Sequence, residues 1–91
     1  MNNPVKFSLG DIVKSVSGRD KDKAFVVMSF ENNLARICDG KLRKIDKIKK
    51  KNPKRIKLLG EVTKEFKDLL ECGGEITNAQ VKQEIKIFES K

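Results

Sequence analysis

Within the first 60 residues, short runs of β-branched and apolar side chains alternate with clusters of Gly, Asn, Asp and Ser. This rhythm restricts the fold more than any other feature of the chain. Phe7–Gly10 leads into a strand over residues 11–16 (DIVKSV), and the polar stretch 17–23 (SGRDKDK) reads as a loop. Residues 24–30 (AFVVMSF) are the most apolar stretch and suit a central strand, which Glu31-Asn32-Asn33 turns back. Residues 34–38 (LARIC) then meet Asp39-Gly40, a dipeptide strongly associated with two-residue hairpins, and residues 41–45 (KLRKI) follow as the expected partner strand. In that register Ile37 faces Leu42 and Arg36 faces Arg43, giving one buried and one basic face. A last short strand is expected over residues 55–59 (RIKLL).

Four or five short strands within about 50 residues, joined by tight turns, imply a small closed or nearly closed β-barrel. The economical choice is an SH3-like barrel spanning residues 6–60, which makes the chain mainly β. After Gly60 the period changes: Val62, Phe66, Leu69 and Leu70 recur at helical spacing, and Cys72-Gly73-Gly74 stops the segment. A second helix starts at Thr77 with Gln80 three residues on, a capping-box pattern. Its Val81, Ile85 and Phe88 share one face, so residues 61–91 are expected to form a two-helix extension packed on the barrel.

Charge divides the chain at the same place. Residues 1–60 hold 16 Lys/Arg against 6 Asp/Glu, a net of +10, whereas residues 61–91 hold 5 against 7, a net of −2. Ten of the seventeen residues from Lys41 to Lys57 are basic, opposed only by Asp46. A positive surface whose geometry is set by folding suits a polyanion, and nucleic acid is the abundant one.

Other function classes lose ground on composition. The chain has no His, Trp or Tyr, so the commonest general base and metal ligand are missing. Its two cysteines, Cys38 and Cys72, lie 34 residues apart without the spacing of a zinc site. Cys72 has no His to activate it, and a helix C-terminus raises a thiol pKa, so no catalysis, metal or cofactor is expected. Met1–Gly10 lacks the apolar core of a signal peptide, and no apolar run approaches the roughly 20 residues that span a bilayer. A reduced, cytoplasmic, membrane-free protein, monomeric when free, is the expectation.

Residues 10–21 (GDIVKSVSGRDK) resemble a KOW motif. The resemblance continues through Phe25-Val26-Val27, Asp39-Gly40-Lys41-Leu42-Arg43 and Lys49-Lys50-Lys51-Asn52-Pro53-Lys54-Arg55. Together these segments are similar to the KOW-domain RNA-binding family related to the fourteenth e-type protein of the archaeal and eukaryotic large ribosomal subunit. The similarity covers about residues 8–59, and residues 61–91 resemble the two-helix tails of short bacterial members. Two positions depart from the pattern: Asp22 stands where the family usually has Gly, and Arg55 where it tends to have His. The resemblance implies RNA as ligand, ribosomal RNA foremost, with ribosomal proteins as possible neighbours.

On this reading Arg19, Arg36, Arg43 and Arg55 are candidates for bidentate phosphate contacts or base stacking. Lys14, Lys21, Lys23, Lys41, Lys44 and Lys47 would act as point charges, as would Lys49, Lys50, Lys51 and Lys54. Ser17 and Gly18 would bring loop backbone close to RNA, with Asp20 and Asp22 positioning Arg19 or Lys21, and Asn52 completes the set. Six phosphate contacts would give a slope of about −4 to −5 in log K against log salt. Phe25, Phe30, Phe66 and Phe88 are assigned to the core, leaving Phe7 as the one loose aromatic. The surface should therefore read backbone and shape rather than stack bases. The rival expectation is a protein-binding adaptor on the ribosome or transcription machinery, whose apolar contacts would respond little to salt.

Overall fold

Two-residue periodicity governs the first two thirds of the chain, and five antiparallel strands result. In the computed structural model, which describes residues 7–16, 18–19, 21–41 and 43–90, these are β1 (Asp11–Ser15), β2 (Ala24–Glu31), β3 (Leu34–Cys38), β4 (Lys49–Lys51) and β5 (Ile56–Glu61). They form one sheet in the order β4-β3-β2-β1-β5. Two helices follow, α1 (Lys64–Glu71) and α2 (Asn78–Glu89). The architecture is mainly β, but the sheet is open: β4 and β5 are its outer strands and do not pair with each other.

Both faces of the sheet are buried, which explains why Phe25, Val26 and Val27 are apolar in succession and all fully buried. Ile12, Val26 and Cys38 stand opposite one another on three neighbouring strands and meet Phe66 of α1 and Val81 and Ile85 of α2. Val13, Phe25, Val27, Ala35, Ile37 and Ile56 form a second cluster, on which Phe7 packs. Register shifts between Val27 and Ser29 and between Ile12 and Val13 bend the sheet, as bulges do. Phe30, expected in the core, is 36% exposed at the end of β2. It shares a face with its buried partner Ala35 but stands next to the last residue of the strand, beside the Asn32-Asn33 turn, where the cluster no longer covers it.

The expected hairpin across Asp39-Gly40 does not form. Asp39 Oδ1 accepts the backbone N–H groups of Lys41 (2.9 Å) and Arg43 (2.8 Å), and the Arg43 carbonyl accepts from Asp39 and Gly40. This Asx-type closure makes a wider loop instead of a two-residue turn. Ile45 N–H donates to Asn78 Oδ1 (2.8 Å), and Ile45 and Ile48 pack on the cluster beneath the helices. A 3₁₀ turn at Ile45–Lys47 follows, and β3 pairs instead with β4: Ile37 opposite Lys49, Arg36 opposite Lys50, Ala35 opposite Lys51. Arg36 therefore does not face Arg43, and Leu42 lies outside the described residues. The tight hairpin of the chain is Asn32-Asn33, between Glu31 and Leu34, with both asparagines at positive φ as a type I′ turn requires.

The helices follow their caps closely. Thr63 caps α1, and the capping box of α2 is complete: Thr77 N–H to Gln80 Oε1 (2.8 Å) and Gln80 N–H to Thr77 Oγ1 (3.2 Å). Glu84 of α2, buried, accepts from both Thr63 N–H (2.7 Å) and Thr63 Oγ1 (3.0 Å), fastening one helix to the N-terminus of the other. A cap contributes about 1 kcal/mol, while full burial of one Val or Ile contributes about 1.5–3 kcal/mol. Packing of Val81 and Ile85 against the sheet, more than capping, holds α2 in place.

Candidate nucleic-acid interface

The lysine-rich segment Lys49–Arg55 is shaped by Asn52. Its Oδ1 accepts Lys54 N–H (2.9 Å) and caps a 3₁₀ turn over Pro53–Arg55, so its carboxamide serves the backbone. The Arg55 carbonyl then accepts Val16 N–H (3.0 Å), bringing this turn to the exit of β1. Beyond β1 the loop is tied back by Asp22 N–H to the Ser15 carbonyl (2.7 Å), Ser15 N–H to the Lys23 carbonyl (3.2 Å) and Lys21 N–H to the Gly18 carbonyl (3.3 Å). Gly18 lies beside Lys51: a Cβ built on it would be 3.8 Å from Lys51 Nζ. Exposed Gly18, Arg19 and Lys21 thus gather with Lys51, Lys54 and Arg55 at one end of the sheet. Lys57, which sequence reasoning omitted, stands opposite Lys14 in the β1–β5 register. Its place in the basic tract was the available signal. Ser17 and Asp20 lie outside the described residues.

Asp22 adopts φ +68°, and Gly18 and Gly40 also have positive φ. The departure at residue 22 therefore places a residue that tolerates the left-handed region where the turn demands it. Asp22 does not position Arg19 or Lys21 by an ion pair; its carboxylate lies 3.7 Å from Lys14 Nζ.

Several predicted contacts are partly neutralised. Glu31 lies 3.2 Å from Lys50 Nζ and 3.8 Å from Arg36 Nε, and Arg36 Nε is buried with no hydrogen-bond partner. Lys49, Lys51 and Arg55 also have interaction partners within the fold.

The remaining candidates lie toward α2. Lys44 and Lys47 are exposed around the 3₁₀ turn Ile45–Lys47, and Arg43 is half-buried where its backbone closes the Asp39 loop. Lys23 and Lys41 line an open cleft of about 630 Å³ together with Lys82 and Lys86 of α2 and the acids Asp22, Asp39 and Glu89. Sequence reasoning missed Lys82 and Lys86 because residues 61–91 are net acidic. Their four-residue spacing, which puts both on one side of a helix, was the only available signal.

Of the two cysteines, the buried one is held as the unreactive thiol. Both thiols are free, Cys38 buried and Cys72 exposed. Burial, and then the neighbouring Asp39 carboxylate, push the Cys38 thiol up to about 12, against a smaller opposing effect from the Gly40 backbone. Among the described residues no group of three or more His, Cys, Asp or Glu is placed to hold a metal ion, and no helix is long and apolar enough to cross a membrane. No protein-family model matches the chain, and no curated protein matches it.

Proposed function

We propose that this chain is an RNA-binding module that grips structured RNA, ribosomal RNA foremost, by its phosphate backbone. The bent sheet, with a 3₁₀ turn between β4 and β5 and β5 returning to pair with β1, reads as an SH3-like barrel of the KOW kind left open between its outer strands. The observation that carries the reading is the convergence of two separate basic segments. The 18–21 loop and the Lys51–Arg55 turn meet at one end of the sheet, with Gly18 against Lys51. A concentration of cations held by a folded scaffold releases condensed counterions when it meets phosphates. Phe25 and Phe66 lie in the core and Phe7 packs on the second cluster, which leaves Phe30 as the one exposed phenylalanine among the described residues, and a single ring makes no stacking platform beside the cations. That inventory favours recognition of backbone and shape over stacking.

The test is fluorescence anisotropy with a labelled RNA hairpin over a series of KCl concentrations. Four to six contacts give a slope of about −3 to −5 in log K against log salt. Lys21→Gln combined with Lys54→Gln, both exposed positions, should flatten that slope by about 1.5. Binding that does not respond to salt would defeat the proposal and turn attention to apolar docking of a protein. The groove between α1 and α2, lined by Phe66, Leu69, Ala79 and Ile87, would then be the place to look.

A further inference from the structure

The cleft that joins the sheet to α2 is built from pieces far apart in the chain. Lys23 comes from the exit of the β1–β2 loop, Lys41 from the Asp39 loop, and Lys82 and Lys86 from successive turns of α2. Gly40 makes the approach possible. A Cβ on it would strike the Asn78 carbonyl oxygen and come within 3.0 Å of Lys82 Cγ, so only glycine lets this loop lie against the helix. Ile45 N–H bonded to Asn78 Oδ1 (2.8 Å) locks the same contact.

Among the described residues none of the four lysines is in an ion pair within 4.0 Å. Two of the three acids lining the cleft are engaged elsewhere: Asp22 lies 3.7 Å from Lys14, and Asp39 Oδ1 holds two backbone N–H groups. Two lysines one helical turn apart repel one another, and two more converge on them from other elements. Four lysines against three acids, Glu89 the third, leave the lining a net of +1, and because two of the acids are held by other groups the lysine ammoniums are the groups left to meet an incoming anion.

We infer that this cleft is a second phosphate-binding surface, on which α2 takes a further stretch of the same RNA backbone. The inference rests on the RNA-binding reading and extends it. The loop carrying Gly18 and Lys21 borders Lys51 on one side and, through Asp22 and Lys23, the cleft on the other. One strand can therefore run from the β4–β5 turn across the loop to α2. The helical extension is then part of the binding surface as well as of the core.

The experiment compares the unaltered chain, Lys82→Gln/Lys86→Gln and Lys82→Arg/Lys86→Arg for binding of the same RNA hairpin across KCl concentrations. Thermal unfolding of each confirms that the exposed substitutions leave the fold intact. The glutamine pair should flatten the salt slope by about 1.5, two contacts' worth, while the arginine pair keeps the original slope. An unchanged slope in the glutamine variant, with the unaltered chain binding normally, would overturn the cleft and leave the first surface standing. Equal losses in both variants would also overturn it, because charge would then not be what the cleft supplies. Absence of salt-dependent binding by the unaltered chain would defeat the underlying RNA reading, and this inference with it.

Discussion

Gly40 and Gly73 share a backbone conformation, both at φ +75°, but sit in opposite surroundings. At Gly40 an added Cβ overlaps the Asn78 carbonyl oxygen, whereas at Gly73 nothing lies within 4 Å. Gly73 serves α1 as the left-handed residue of a Schellman ending, with Gly74 N–H bonded to the Leu69 carbonyl at 2.8 Å. Alanine at either site meets the same left-handed penalty of about 1–2 kcal/mol, offset by a similar loss of freedom in the unfolded chain. Only Gly40→Ala must also push backbone away from backbone, and overpacking of that kind costs about 1–3 kcal/mol. Gly40→Ala should therefore be less stable than Gly73→Ala by about 1–3 kcal/mol. At about 4–8 °C per kcal/mol for a chain this size, the midpoints should differ by at least about 4 °C. Thermal unfolding followed by far-UV circular dichroism measures that difference, and urea unfolding with unchanged m-values would confirm that only stability moved. Equal midpoints would refute the reasoning, since the α2 contact at Gly40 would then carry no energetic weight.

Two further outcomes follow from other parts of the fold. Glu31→Gln releases Lys50 and Arg36 from their common carboxylate, so RNA affinity should rise a few-fold and the salt slope should steepen by about 1, read by the same anisotropy titration. A fall in affinity would mean that Glu31 organises these cations for binding instead of competing with RNA. Cys38 has its pKa raised to about 12 from an ordinary value of 9.0, so above pH 9 the unfolded chain loses its thiol proton before the folded chain does. Its stabilising effect is thus complete below about pH 9 and lost as pH rises toward 12. The unfolding midpoint should fall less steeply over that range in Cys38→Ala than in the unaltered chain. Parallel slopes would remove Cys38 as the cause.

Much of the fold is legible in the sequence where local chemistry decides it. The runs at residues 11–15 and 24–31, the asparagine turn, the Thr63 and Thr77 caps and the glycine stop after α1 depend on neighbours a few residues away. The positive field is legible too, because charge is countable: Lys49–Arg55 and the loop beginning at Gly18 stand out before any folding. Tertiary structure decided which strands pair and which lysines meet. Asp39-Gly40 favours a two-residue hairpin in isolation, yet its carboxylate captured two amides, and Ile45 was drawn to Asn78, 33 residues away. Burial of Ile45 and Ile48 beneath α2 outweighs a local turn preference, so β3 pairs with Lys49–Lys51. For the same reason Lys82 and Lys86 face Lys23 and Lys41 despite the acidic composition around them. Composition adds charges along the chain, whereas a phosphate meets only the charges that packing gathers in one place.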